Sequence, residues 1–141
     1  MADSSPTPEG LVPHRGNALF LRQVVEWDAE GIVCVAVIPE SNALVRGGRA
    51  PAFVALEVAA QATAALRTLN EDADAVAAGS RRGYLVGVRE ARFNGGWLPA
   101  GSELRAFARR SGSAGPLTVY EVRVEAAGVE CLVAVMSTYA R

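Results

Sequence analysis

Two patterns of apolar spacing divide the chain. Branched and aromatic residues cluster from Leu19 to Trp27 and again from Ile32 to Ile38, and Asp28, Ala29, Glu30 and Gly31 separate the runs. This predicts two antiparallel strands around a short turn, with Cys34, Ala36 and Ile38 on one face. From Pro39 to Ala50 the alternation lapses. Gly47, Gly48, Asn42 and two arginines mark that stretch as a loop. Ala52 to Leu69 is dominated by Ala, Leu and Val with no internal Gly or Pro, which predicts a helix with Pro51 in its first turn. Asn70 to Arg82 reads as a polar, alanine-rich connection with room for a short helical extension. Four strands follow, Tyr84 to Phe93, Glu103 to Arg110, Leu117 to Glu125 and Glu130 to Tyr139. Turn signals at Gly95-Gly96 with Pro99 and Gly101, at Ser111 to Pro116 and at Ala127-Gly128 separate them.

A helix apolar nearly all round belongs at the centre of a domain. Within the strands, Leu104, Ala106 and Ala108 alternate with Arg105, Phe107 and Arg109, and Tyr120, Val122 and Val124 alternate with Val119, Glu121 and Arg123. That is the pattern of an antiparallel sheet with one wet face. The expected fold class is therefore α+β, a long central helix wrapped by a curved antiparallel sheet. Residues 1–10, rich in Ser, Pro, Thr and Asp, are expected to form a flexible arm before a single domain over 11–141. The exposed sheet edges and helix flanks of such a layer favour a homodimer.

Composition narrows the function. In 141 residues, half of them hydrophobic, 14 Lys and Arg oppose 15 Asp and Glu, for a formal charge of −1. No charge-driven nucleic-acid or anionic-membrane partner is expected from that balance. No apolar run approaches the roughly 20 residues of a membrane span, and Met1 to Gly10 is polar and acidic, so a soluble cytoplasmic protein is expected. Cys34 and Cys131 lie far apart in apolar alternating runs and read as buried thiols. With one histidine and no Cys-x-x-Cys spacing, neither a metal site nor a disulfide framework is expected.

Few side chains remain that can carry chemistry. Glu57 stands in the first turns of an otherwise apolar helix, where a carboxylate must face solvent, a partner or a pocket. Desolvation tunes such a group toward general acid–base work, and the positive end of the helix dipole opposes it. The plainer reading is a solvated acid that complements the dipole. Gln61 lies one turn further on the same face. His14, the only imidazole, follows Pro13 at the start of the ordered chain and on sequence grounds is more often structural or exposed. Asn42 can orient a carbonyl or water, or simply form a turn. Backbone N–H groups at the loop-to-helix junction can polarise a thioester carbonyl. Arg46-Gly47-Gly48-Arg49 lacks the glycine spacing of a phosphate or dinucleotide loop, and no serine sits in a Gly-x-Ser-x-Gly elbow.

Four segments in order carry a family resemblance. They are Leu11-Val12-Pro13-His14-Arg15 with Leu19-Phe20-Leu21, then Leu56-Glu57-Val58-Ala59-Ala60-Gln61, then Leu85 to Phe93, then Pro99-Ala100-Gly101-Ser102-Glu103-Leu104. Together they resemble the hotdog-fold 3-hydroxyacyl-ACP dehydratases. The chain is most similar to the divergent branch associated with aryl-polyene-type pathways, because Arg49-Ala50-Pro51-Ala52 leads into the helix instead of a Gly-His-Phe-Pro-Gly loop. The resemblance implies a hotdog dimer or a pair with a related hotdog subunit. It also implies an acyl chain beside the helix, delivered on acyl carrier protein or coenzyme A, and no cofactor. In those dehydratases a histidine and a helix carboxylate from opposite subunits remove water from a 3-hydroxyacyl thioester. Glu57 matches the carboxylate and Gln61 the glutamine that orients it, while Asn42 and Pro51 fall where substrate would bind. The loop histidine does not carry over. Its place falls at Ala43, or near Asn42 in the divergent branch, and Arg22 replaces a usual aspartate. That leaves His14, in a pair that is mainly a landmark in relatives, as the second catalytic candidate. Two other readings stay open: a hotdog thioesterase using Glu57 with Asn42, and a catalytically silent acyl-binding subunit.

Overall fold

The computed structural model describes residues 7–71 and 83–140. The chain runs α1 (Pro8–Leu11), a 3-10 turn (Gly16–Ala18), β1 (Leu21–Trp27), β2 (Gly31–Val37), β3 (Arg49–Pro51) and α2 (Val54–Leu69). Then come β4 (Gly83–Phe93), β5 (Trp97–Pro99), β6 (Glu103–Ala114), β7 (Leu117–Ala126) and β8 (Val129–Ala140). Six strands form one antiparallel sheet in the order β1-β2-β6-β7-β8-β4, and β3 pairs with β5 in a separate two-stranded ladder.

Register explains why the helix can lie so close to this sheet. Ile32, Ala108, Val122 and Ala134 stand in one cross-strand row and Cys34, Ala106, Val124 and Leu132 in the next. All eight are buried, as are Ala55, Val58, Ala59, Ala62, Ala65 and Leu66 on α2. Alanines on both sides of the contact bring helix and sheet together, and Leu104, Leu132 and Met136 fill the remaining volume. Burying this apolar surface is the main drive for folding. Among the described residues no helix is long and apolar enough to cross a membrane.

Cys34, Ala36 and Ile38 share the buried face as their alternation predicts. Burial pushes the Cys34 thiol up to about 12. The reactive species is the thiolate, so Cys34 should resist an aromatic disulfide reagent at pH 8 in the native protein and react once the protein is unfolded. In the β1–β2 turn the Asp28 carboxylate accepts the N–H groups of Glu30 at 2.7 Å and Gly31 at 2.9 Å. These bonds hold its pKa below the usual carboxylate value. The stability they contribute is present above the unfolded pKa and is lost as pH falls through the folded one. Asp28→Asn should therefore flatten the decline of the thermal midpoint between about pH 5 and pH 3.

Several boundaries differ from the expectation. Pro51 is not in the first helical turn. Its segment finds hydrogen-bond partners in Trp97–Pro99, the Ala52 N–H bonds the Gly96 carbonyl, and the helix starts at Val54. Pro8–Leu11, at the junction of the expected arm (1–10) and the domain (11–141), is one helical turn because Pro8 suits its start and Val12 N–H closes on the Pro8 carbonyl. β6 continues four residues beyond Arg110, past a bulge, since Ser113 and Ala114 pair with Thr118 and Leu117 whatever their polarity. Short β5 hides among Gly and Pro. Most of the expected Asn70 to Arg82 connection, including Arg81-Arg82, lies outside the described residues.

Candidate functional site

The segment between α1 and β1 crosses α2 and is fastened to it on either side of one exposed bend. On the near side Leu11 and Val12 are buried, and the Thr68 hydroxyl donates to the Leu11 carbonyl at 3.0 Å. On the far side Leu19 and Phe20 are buried, and Gln61, completely buried, reaches their backbone. Its Oε1 accepts the Phe20 N–H at 2.8 Å, with Leu21 N more distant at 3.4 Å, and its Nε2 donates to the Ala18 carbonyl at 2.6 Å. Inside the bend, Arg15 Nη1 donates to the carbonyls of Val12 and His14, each at 2.7 Å.

This bend carries His14 to the start of α2. Its Nε2 lies 2.6 Å from Glu57 Oε1. The side chains are 27% and 47% exposed, so Glu57 is the more accessible partner. Nδ1 of His14 is buried and has no hydrogen-bond partner among the described residues. With Glu57 ionised, a proton on Nε2 makes a charge-assisted bond and leaves Nδ1 as a lone pair. The pair can thus hold one proton between two basic atoms at the surface end of an apolar helix, which is the equipment of acid–base chemistry.

The other candidates are placed as follows. Gln61 is one turn from Glu57, yet its amide is engaged at both ends by the backbone of residues 18–21, so it holds the histidine's segment and has no hydrogen bond to the carboxylate. Asn42 donates to the Asn17 carbonyl at 2.8 Å and accepts the Leu44 N–H at 3.0 Å, while Ser41 bonds Asn17 Oδ1 at 2.9 Å. Asn42 therefore pins the 39–48 loop beside the bend, and among the described residues it bonds neither His14 nor Glu57. Pro51 pairs with Trp97, whose exposed ring lies under the Arg49 guanidinium at 3.7 Å. Phe53, just ahead of the helix and one turn before Glu57, is 55% exposed.

Arg15, Arg22, Arg46 and Arg49 form no salt bridge among the described residues. Arg22 and Arg46 instead donate to nearby carbonyls. A broad trough on the far face of the sheet, lined by Trp27, Val33, Phe107 and Arg123, shares no residue with the pair. Sequence reasoning missed Thr68, whose hydroxyl donates to the distant Leu11 carbonyl, and Asn17, whose carbonyl and Oδ1 accept from the side chains of Asn42 and Ser41.

One long helix, α2, packed against a six-stranded antiparallel sheet defines a hotdog-fold protein. The chain belongs to the ApeP-like dehydratase family, whose ApeP dehydratase model matches residues 6–141. The fold is similar to that of the dehydratase heterocomplex ApeI:P from Xenorhabdus doucetiae, with 18% identity over 96% of this chain and 91% of that chain and a TM-score of 0.80. An HP0420 homologue from Helicobacter felis shares 14% identity over 100% of this chain and 93% of its own, at a TM-score of 0.70. A mutant thioesterase from Pseudomonas aeruginosa shares 15% over 84% and 79%, at 0.64. At these identities the likeness is one of fold alone. No curated protein matches the chain in sequence.

Proposed function

We propose that this chain is a cytoplasmic dehydratase of 3-hydroxyacyl thioesters, in which His14 and Glu57 move the protons. The observation that carries the reading is the 2.6 Å contact between them. Dehydration breaks a Cα–H bond and a Cβ–O bond and forms the double bond between those carbons. One proton leaves Cα and one joins the departing hydroxyl, so a base and an acid within reach of each other serve both steps without a cofactor. A proton shared by an imidazole and a carboxylate can be received at one and delivered from the other. Nearby backbone N–H groups at the start of α2 can polarise the thioester carbonyl.

The chain alone leaves Glu57 half exposed. A second hotdog subunit, either another copy or a related chain, would cover that side and exclude water. The similar Xenorhabdus doucetiae structure is a dehydratase heterocomplex, which supports testing both partners. Arg15, next to His14 in the chain and without a carboxylate partner among the described residues, suits a phosphate-bearing acyl donor, either acyl carrier protein or coenzyme A. The thioesterase reading needs a free amide on the carbonyl, and the Asn42 amide is engaged at both ends.

The test is mass spectrometry of the purified chain incubated with 3-hydroxyacyl and saturated acyl thioesters, each on carrier protein and on coenzyme A. Loss of one water from the hydroxyacyl substrate is the expected result. Release of free thiol would replace the reading with a thioesterase, and no product with any substrate would make the chain a silent subunit.

A further inference from the structure

The apolar inner face of the sheet stops at one level on neighbouring strands. Ala106 and Ala108 on β6, Val124 and Val122 on β7, and Leu132 and Ala134 on β8 are buried. One cross-strand row further on, Arg110 stands opposite Tyr120, and beyond it Ser113 stands opposite Thr118 and Thr118 opposite Thr138. A polar run on a face that packs a helix costs desolvation unless it meets partners. Here it faces a hollow of about 320 Å³ between the last turn of α2 and the β6–β7 hairpin, lined by Arg67, Glu71, Arg110, Ser113, Thr118 and Tyr120 among others. That volume is at the small end of the range for ligand pockets.

We propose that this hollow is a second binding site, for a small oxyanion carrying a carboxylate or phosphate group, separate from the His14 and Glu57 pair. The inference does not rest on the dehydratase reading. Arg67 lies ten residues beyond Glu57 on α2, about 15 Å along the helix axis.

The groups in the hollow are mainly donors. Arg67 uses Nη1 on Glu71 Oε1 at 2.8 Å, and the rest of its guanidinium makes no hydrogen bond among the described residues. Arg110 forms no salt bridge among them. Two guanidinium charges against one carboxylate leave a single positive charge in the lining, and the hydroxyls of Ser113, Thr118 and Tyr120 add three O–H donors. Burial raises the Tyr120 pKa, and the Thr138 hydroxyl, the Arg67 and Arg110 charges and the Thr118 hydroxyl act against it. The phenol therefore sits where both cations reach it. The negative end of the helix dipole opposes an anion here, but Asn70 covers the carbonyls concerned. Its N–H bonds those of Leu66 and Arg67 at 3.2 Å, and its Nδ2 bonds that of Leu66 at 3.0 Å. A bulge between Arg110 and Gly112 bends β6 at the rim of the hollow.

The experiment titrates the full-length chain with propionate and, separately, with inorganic phosphate, followed by calorimetry. One saturable equivalent per chain is expected with at least one probe. Propionate alone would assign the site to a carboxylate, and phosphate alone to a phosphate group. Arg110→Gln and Tyr120→Phe should each weaken that binding about tenfold or more, the loss usual for a hydrogen bond to a charged group. Arg109→Gln removes the same charge from the residue that lines the far trough instead, and should leave binding unchanged. His14 is the only histidine, so its labelled imidazole gives a single set of resonances, and the Arg110-dependent binding should not move them. The absence of saturable binding with both probes would overturn the proposal. So would equal losses from Arg109→Gln and Arg110→Gln, which mark diffuse surface charge, or binding that survives both Arg110→Gln and Tyr120→Phe.

Discussion

Glu57→Gln is expected to lower kcat/KM for a 3-hydroxyacyl thioester by roughly 10²- to 10⁴-fold, the contribution usual for a positioned acid or base. Glutamine keeps the size of the side chain and can still hydrogen-bond the His14 imidazole at the distance seen for Oε1. It cannot take or give the proton. The loss should therefore fall mainly on kcat, with substrate binding largely retained. Stability should respond little. The carboxylate is nearly half exposed and its one partner is a part-exposed imidazole, so the thermal midpoint should shift by no more than a few degrees. His14→Ala should reproduce the catalytic loss by removing the other half of the pair. Steady-state kinetics and a melting curve on each variant check both statements. Full turnover in the Gln variant would remove Glu57 from the chemistry, and full turnover in the Ala variant would reduce His14 to structure.

The elements of this fold were legible because burial imposes period two on strands and nearly continuous apolarity on a central helix. Cys34, Ala36 and Ile38, and likewise Tyr120, Val122 and Val124, are buried as their alternation requires. What escaped were elements whose partners lie far along the chain. β3 and β5 are three residues each, too short to show a period, and exist because Arg49–Pro51 and Trp97–Pro99 supply each other's hydrogen bonds. The same limit applies to the site. Glu57 stands out as a charge on an apolar helix, but its contact with His14 crosses forty-three residues and depends on a bend that no local pattern announces. Asn42 and Gln61 were visible as polar residues in telling places, and their spacing could not reveal that backbone groups had already engaged them.

These backbone contacts suggest why a helix this apolar keeps an uncharged polar residue one turn beyond its acid. Residues 18–20 lead into β1, which begins at Leu21, and of their backbone groups the Phe20 carbonyl already accepts the Val37 N–H of β2 at 2.8 Å. Left without partners, the buried Phe20 N–H would be costly, and the Ala18 carbonyl, on an exposed residue, would turn to water. A primary amide is the side chain that can donate to one and accept from the other. Gln61 therefore stabilises the fold and fixes the bend that carries His14 through the same bonds, which couples stability to geometry at this position.

Gln61→Leu separates those effects. Leucine conserves volume and suits the core, but it leaves the buried Phe20 N–H unpaired at about 1 to 3 kcal/mol and hands the Ala18 carbonyl, on an exposed residue, to water. A loss of about 2 kcal/mol in urea unfolding is expected, larger than that from either member of the exposed pair. Thr68→Val, which removes the hydroxyl at the other clamp, should cost only about 1 kcal/mol. At temperatures where the Gln61→Leu protein remains folded, its His14 resonances should shift toward those of Glu57→Gln, and turnover should fall although both catalytic groups are present. Gln61→Glu sharpens the distinction. A carboxylate can still accept from Phe20 N–H but, when ionised, cannot donate to the Ala18 carbonyl, and it adds a second negative charge one turn from Glu57. An unchanged unfolding free energy in the leucine variant would mean that the amide bonds do not hold the bend, and the coupling between Gln61 and His14 would fall with them.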